Sequence, residues 1–591
     1  MNTPLPDYTD TRSRIQTAYK VDEIKAVEHL LSLIDMSPTA KGLIAKQARR
    51  LVEHVRANRR KAAGLDIFLQ EYDLSTKEGV TLMCLAESLL RVPDSSTADQ
   101  LIRDKIAGHD WAKHLGQSDS LFVNASTWAL MLTGSVIGWD DEEVDDIESF
   151  LGNLVARSGE PIIRQALTHA MHVIGNQFVM GETIADALKR SLDGVNARYR
   201  YSFDMLGEAA RTAAQADRYF GAYVDAIRTL NGVADDAPLY DRPGISVKLS
   251  ALHPRYEYSQ RARVLRELTP KVLALAEQAK DAGITLCIDA EEADRLELSL
   301  DIIEAVAGDA RLSGWQGLGL AVQAYQKRAI YVIDWLSELA RRNNRRLMVR
   351  LVKGAYWDAE IKRGQVEGLS GYPVFTRKES TDVSYLACAQ KLFKSSKYLY
   401  PQFATHNAHT VAAIEQFAGA DRDFEFQRLH GMGEMLYEKI LEDPRAGYVC
   451  RVYAPVGGHT DLLGYLVRRL LENGVNTSFV NRLADDELPI RDVIANPIDL
   501  LESKDSILNP RIPLPRDLFG QARVNSAGLD LSDPLEVFQL KEELEKFGAT
   551  GAEDDIKWMN DGEIETALSA ASNALFSLGS TKKVQPYPLS T

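Results

Sequence analysis

The period of the apolar positions changes near Arg198. Before it, apolar residues recur every three or four positions, the spacing of helix faces. Residues 21–33 read as one helix with Asp22 and Glu23 near its start. A break at Ser37-Pro38 follows, and a long amphipathic helix is predicted from 40 to about 59. Further helices are predicted over 76–90, 98–115, 142–156 and 162–178. A helical arm at the head of a chain either wraps a partner subunit or packs on its own domain, and the pattern leaves both open. Beyond Arg198, short β-type runs alternate with helical stretches. The candidate strands are 199–205, 244–249, 283–289, 317–323, 347–353, 402–406, 424–429 and 447–454. Strands alternating with helices imply parallel βαβ units. Eight over about 260 residues match a (β/α)8 TIM-like barrel. An open doubly wound sheet is the alternative, weakened because no GxGxxG follows the first strand. The chain divides on this reading into an N-terminal arm (1–60), an α-helical domain (61–185), the barrel (186–520) and a C-terminal extension (521–591).

Composition narrows the class. With 45% hydrophobic and 26% charged residues the chain can bury a large core. No apolar run reaches the ~18 residues of a membrane span, and the N-terminus lacks a secretory core, so a cytoplasmic protein is expected. Cys84, Cys287, Cys388 and Cys450 form no CxxC pair and read as buried reduced thiols. The net charge of −15 argues against nucleic acid as a partner. The most basic stretch, 46–61, reads as a solvated helix face. His169 and His172 lie three apart on a predicted helix with no third ligand nearby, and packing is favoured over metal there.

Candidate chemistry lies at the strand C-termini, where barrels of this kind carry their sites. Every predicted strand ends in a polar group: Asp204, Lys248, Asp289 with Glu291 beyond, Gln323, Arg350 with Lys353, His406-Asn407, Gln427 and Tyr453. Buried charge is costly unless paired, so eight polar ends call for a function. The stretch after the eighth strand, GGHTDLLGYLVRRLLENG, reads as a helix between Thr460 and Gly474 with a stripe at Leu462, Leu463, Leu466 and Leu470. Its Arg468 and Arg469, with Glu472 one turn on, form either a surface salt-bridge ladder or a twin clamp for a carboxylate. No Cys/His ligand spacing, GxSxG elbow or P-loop is present. Cationic and hydrogen-bonding groups without an activated nucleophile suit a site in which a cofactor does the hard chemistry.

Nine ordered segments carry a resemblance: VKLSALHPRY (247–256), IDAEEADRLELSL (288–300), QAYQKR (323–328), RLVKGAYWDAEIKR (350–363), TRKESTDVSYL (376–386), ATHN (404–407), FEFQRLHGMGE (424–434), YAPVGGH (453–459) and YLVRRLLENGVNTSFVNR (465–482). Together they resemble the proline dehydrogenase half of the bacterial proline utilisation A family, over about 185–515. The resemblance implies a distorted (β/α)8 barrel holding non-covalent FAD. L-proline would be oxidised to Δ1-pyrroline-5-carboxylate by hydride transfer to flavin N5, and electrons would pass to a quinone, in peripheral contact with the inner membrane. It implies proline enclosed by Lys248, Asp289, Tyr356, Leu429, Tyr453, Arg468 and Arg469, with Asp204 as a supporting partner. It implies Arg350 near N5 and Gln323 on the ring system. Val352, Lys353, Gly354, Ala355 and Trp357 would line the cofactor. Thr376, Arg377, Lys378 and Thr381 would hold its phosphates and adenosine end. Thr405, His406 and Asn407 would meet the ribityl or phosphate region, with Gln427, Glu472 and Ser478 also on the cofactor side. Larger family members begin with a ribbon-helix-helix DNA-binding domain and carry an aldehyde dehydrogenase domain of ~450 residues. Neither is expected here, so product would leave to solvent. Hydroxyproline oxidation, an FAD-binding scaffold with little turnover, and assembly through the arm are the other readings.

Overall fold

The computed structural model describes residues 10–58, 179–233, 236–458 and 488–549. Eight parallel strands close a barrel in chain order: β1 (Arg200–Met205), β2 (Gly244–Val247), β3 (Thr285–Ile288), β4 (Leu318–Gln323), β5 (Leu347–Val352), β6 (Leu399–Ala404), β7 (Glu425–Leu429) and β8 (Cys450–Val456), with β1 pairing β8 from Arg200↔Arg451 to Met205↔Val456. A (β/α)8 barrel, and not the open sheet, is the architecture. The labelled helices are α1 (Asp10–Thr17), α2 (Glu23–Leu33), α3 (Pro38–Asn58), α4 (Ile184–Ser191), α5 (Ala213–Leu230), α6 (Arg261–Asp281), α7 (Leu296–Gly308), α8 (Ala329–Arg342), α9 (Trp357–Glu367), α10 (Lys378–Lys394), α11 (Ala408–Ala418) and α12 (Glu434–Ile440). Side-chain caps start several of them. Asp22 accepts from Lys25 N, Thr212 from Gln215 N and Asn407 from Thr410 N.

Alternation along the strands builds two different surfaces. Ile245, Val247, Leu286, Ile288, Leu320, Val322, Val349, Leu351, Phe403, Phe426 and Val452 face outward and pack under the helices as the apolar core. The intervening positions face inward, and many are polar.

Three strand boundaries depart from expectation for local reasons. Strand β2 stops at Val247 because Lys248 N donates to the Tyr223 hydroxyl at 3.1 Å, and Leu249–Leu252 begins a helical turn. Strand β6 starts at Leu399, although Pro401 reads as a strand breaker; it pairs opposite Val349. Strand β8 starts at Cys450 because Gly447, at φ +70°, closes the preceding turn. The thiols of Cys287, Cys388 and Cys450 are buried and free, and Cys84 lies outside the described residues.

The arm packs on its own barrel. Arg12 pairs with Glu297 at 2.9 Å and Asp301 at 3.0 Å on α7. Thr11 Oγ1 donates to Glu338 on α8 at 2.8 Å, and Gln47 Nε2 to Glu415 on α11 at 3.0 Å. On α3, Ile44, Ala48, Leu51 and Val52 are buried while Lys46, Arg49 and Arg50 are exposed, so this part of the basic stretch is a solvated face. The described residues up to Asp533 belong to one compact unit and those from Pro534 to a second. Residues 521–533, expected in a separate extension, pack in the first unit: Gly528 N donates to Gly368 O at 3.1 Å, and Asp530 pairs with Lys20 at 3.2 Å. The predicted helices between 76 and 178, with His169 and His172, lie outside the described residues.

Candidate active site at the strand C-termini

The first residue past β2, Lys248, is 7% exposed, and its ammonium has three donors to place. They go to Asp204 Oδ1 at 2.6 Å, Asp289 Oδ2 at 3.1 Å and the Tyr453 oxygen at 3.1 Å. Tyr453 donates its own proton to Asp289 Oδ2 at 2.7 Å. The other Asp289 oxygen accepts from Arg350 Nη1 at 2.6 Å. Arg350 Nε donates to Gln427 Oε1 at 2.8 Å, and Nη2 to Ser246 Oγ at 2.9 Å and Ser202 Oγ at 3.3 Å. Its guanidinium lies 5.0 Å from the Tyr453 ring centroid, within cation–π range. Strands 1, 2, 3, 5, 7 and 8 thus meet in one buried network with two cations and two anions.

The electrostatics follow from burial and pairing. Burial pushes the Asp289 carboxyl up, but Lys248 and Arg350 outweigh it and hold it below the ordinary carboxylate range. Burial pushes the Asp204 carboxyl up despite Lys248. Among the described residues, its Oδ2 has no hydrogen-bond partner. Burial lowers the Lys248 ammonium and Asp204 raises it further, so it stays charged. Burial also holds the Tyr453 phenol protonated.

The remaining predicted residues fall into groups. Gln323 ends β4, donating to Glu291 O at 3.0 Å and accepting from Gln326 at 2.6 Å; with Asp289, Glu291 and Tyr256 it lines a small cavity. Val352 ends β5, and Lys353 next to it ion-pairs with Asp382 of α10. Gly354 has φ +132°, and a Cβ there would stand 2.5 Å from the Tyr325 ring, so a side chain is excluded at this crossing. Ala355 is exposed, Tyr356 and Leu429 are half-buried, and Trp357 Nε1 donates to Phe375 O at 2.7 Å. Thr376 and Arg377 are not part of the network. Thr376 N and Oγ1 donate to Glu23 Oε1 of the arm at 2.8 and 3.0 Å, and Arg377 Nε to the Ile507 and Leu508 carbonyls. Lys378 and Thr381 lie in the first turn of α10, one exposed and one buried. Past β6, Thr405 Oγ1 accepts from Asn407 N, His406 Nε2 from Leu429 N at 3.2 Å, and Asn407 caps α11. Arg468, Arg469, Glu472 and Ser478 lie outside the described residues.

Sequence reasoning missed Ser202, Ser246, Glu425 and Tyr223. The first three were within reach: each sits two residues before a polar strand-end residue, hence on the same inward face. Tyr223 comes from α5, and only packing brings its hydroxyl to Lys248 N.

Fold and site together define a (β/α)8 barrel with a buried ionic cluster at the mouth where such barrels carry their chemistry. Residues 187–482 match the proline dehydrogenase family model, and the chain belongs to that family. Residues 9–56 match the model described as the proline utilization A proline dehydrogenase N-terminal domain. Residues 64–178 match one described as the DNA-binding domain of proline dehydrogenase, a name that runs against the expectation drawn from net charge; that segment lies outside the described residues. The chain is 51% identical over 539 residues to the bifunctional protein PutA of Salmonella typhimurium, covering 88% of this chain and 41% of that protein. It is 26% identical over 328 residues to a proline dehydrogenase of Deinococcus radiodurans, covering 54% of this chain and 93% of the other. A crystal structure of a Bradyrhizobium japonicum PutA mutant superposes with a TM-score of 0.71 at 49% identity, covering 92% of this chain and 54% of that one. The chain therefore spans about half, or less, of the length of these PutA relatives.

Proposed function

We propose that this chain oxidises L-proline to Δ1-pyrroline-5-carboxylate with FAD held at the barrel mouth and a quinone as the electron acceptor, as a cytoplasmic protein in peripheral contact with the membrane. The observation that carries the reading is the Lys248–Asp289–Tyr453–Arg350 cluster at the strand ends of a family-matched barrel. Among the described residues, no helix is long and apolar enough to cross a membrane.

The residues suit FAD. The N-cap of α10, Arg377, makes no side-chain cap bond, and the partial positive charge of the helix N-terminus suits an anion such as a diphosphate. In the same turn the Ser380 hydroxyl is buried and, among the described residues, has no hydrogen-bond partner. Lys353, Thr376, Arg377, Lys378, Thr381, Thr405, His406, Asn407, Glu472 and Ser478 would hold the dinucleotide. Gln323, Arg350, Val352, Gly354, Ala355, Trp357 and Gln427 would frame its ring system, the bare Gly354 backbone allowing close approach. When bound, FAD supplies hydride acceptance at N5.

The chain's own residues do the rest. Arg468 and Arg469 would grip the proline carboxylate. Asp289 and Tyr453, fixed by Lys248 and Arg350, would wall one side of the ring and Tyr356 and Leu429 the other. Asp204 keeps Lys248 charged. Arg350 presents a fixed cation where negative charge accumulates, so no reorganisation is needed during reaction.

An anaerobic absorption spectrum before and after L-proline tests this. Yellow protein that bleaches is the expected result. Protein that binds no flavin, or binds it without bleaching, overturns the reading, the latter in favour of a scaffold. Arg468→Met and Arg469→Met should each raise the apparent proline constant about thirtyfold, in keeping with the ~2–5 kcal/mol lost with a buried charge partner. A constant within about threefold of the parent in both favours the surface ladder.

A further inference from the structure

Glu425 opens β7, two residues before Gln427, with no exposed surface. Every group that reaches its carboxylate is a donor. Oε1 accepts from Gln402 Nε2 at 2.8 Å, Gln427 Nε2 at 2.8 Å and Arg451 Nε at 2.7 Å. Oε2 accepts from Arg451 Nη2 at 3.1 Å and Arg200 Nη1 at 3.2 Å. Burial pushes this carboxyl up, but Arg451 and Arg200 overcome it and hold it below the ordinary range, so it is an anion at neutral pH.

An amide side chain has one accepting end and one donating end. Among the described residues, the Gln427 NH2 group donates to Glu425 alone. Its carbonyl must then face the mouth, where it accepts from Arg350 Nε at 2.8 Å. With Asp289 on Nη1 and Ser246 and Ser202 on Nη2, the guanidinium has an acceptor on every edge. Reversed, the amide would point its NH2 group at the Arg350 cation, donor against donor. Neutralising Arg451 and Arg200 would require no bond to Gln427. Arg451 also has the carbonyls of Tyr201 at 2.9 Å and Arg242 at 3.0 Å as acceptors.

We propose that Glu425 is a positioning residue for the barrel mouth: from the layer below, it fixes the polarity of the Gln427 amide and through it the orientation of the Arg350 guanidinium. The consequence for redox chemistry rests on the proposed function, whereas the orientation itself does not.

The test uses the full chain and two variants. Glu425→Gln places an amide among donors and takes the carboxylate from the buried Arg451 and half-buried Arg200 guanidinium groups, which can unfold the barrel. Glu425→Gln/Arg451→Met removes one charge of each sign and keeps that layer near neutral. The first readout needs no flavin: the Nε–H resonance of Arg350 in arginine-labelled protein, assigned by its loss in Arg350→Lys. The second is the midpoint potential of bound flavin. In whichever variant folds, the Arg350 resonance should move. The oxidised-to-reduced ratio at a fixed potential should shift about tenfold toward oxidised, which is about 30 mV for a two-electron couple. A folded variant with a lower melting temperature but an unmoved resonance and potential overturns the proposal and leaves Glu425 as a charge neutraliser. If the parent protein binds no flavin, the proposed function fails while the resonance still decides the positioning role.

Discussion

Tyr453 shows how one side chain can be both wall and hydrogen-bond partner. Its hydroxyl donates to Asp289 at 2.7 Å and accepts from Lys248 at 3.1 Å, which pins the ring against Arg350. A pinned phenol leaves no slack for a substrate hydroxyl. Tyr453→Ser should therefore weaken proline use and shift the hydroxyproline-to-proline preference about ten- to a hundredfold, the scale of the ~1–3 kcal/mol at stake for one group in a pocket. A competition assay that finds the ratio unmoved removes Tyr453 from this role. Glu360 on α9 yields a pH prediction. It is buried and accepts from Ala293 N at 2.6 Å, and burial pushes its carboxyl from the ordinary 4.5 to about 7. Between those values the folded protein keeps a proton that the unfolded chain has released, so stability falls as pH rises from 4.5 through about 7. Glu360→Gln should thus gain on the order of 3 kcal/mol over the parent at pH 8 and little at pH 5. Melting curves at the two pH values check it, and an equal shift at both would refute the buried-acid account.

Among the elements, the strands were legible because alternation carries two messages at once. In β5, Val349 and Leu351 face the helices while Arg350 points inward to four other strands. The arm was less legible, since an amphipathic helix reveals which face is buried but not against what. Arg12 supplies the answer. It is 1% exposed, pairs with Glu297 and Asp301, and lies 5.2 Å over the Trp335 ring. Arg12→Met leaves two buried carboxylates with one partner fewer, a loss of up to ~3–5 kcal/mol. The remaining pairs, Arg261–Asp301 at 2.7 Å and Arg328–Glu297 at 3.4 Å, soften it. We expect faster proteolysis within 10–58 and a lower melting temperature. Cleavage at the parent rate would mean that the apolar face alone holds the arm.

At the scale of the whole molecule, the arm and the stretch 528–533 meet on α9. Lys20 of the arm pairs with Asp530 at 3.2 Å and Asp533 at 3.0 Å, and Arg363 of α9 reaches Asp530 at 3.5 Å. Gly368, at φ +63°, ends α9, and a Cβ on Gly528 would stand 1.9 Å from Glu367 O, so this strap requires glycine. A chain ended after Asp533 keeps both carboxylates that Lys20 meets. One ended after Val524 loses them and should melt lower than the first, by on the order of 3 kcal/mol in stability. Equal melting of the two would place the strap outside the stabilising contacts.

The sequence by itself determined the barrel and most of its mouth. Short apolar runs alternating with helical ones imply parallel βαβ units, and the polar residues at or near the close of each run, among them Asp204, Lys248, Asp289, Gln323 and Arg350, mark the C-terminal mouth. Only the tertiary structure decided which of these charges pair, because partners such as Arg350 and Asp289 lie far apart in the chain and meet at 2.6 Å through barrel closure. Closure likewise put Glu425 behind Gln427 and beneath Arg350. It also brought Glu23 of the arm to Thr376, since a carboxylate's partner is chosen by the space the fold brings to it and not by its neighbours in sequence.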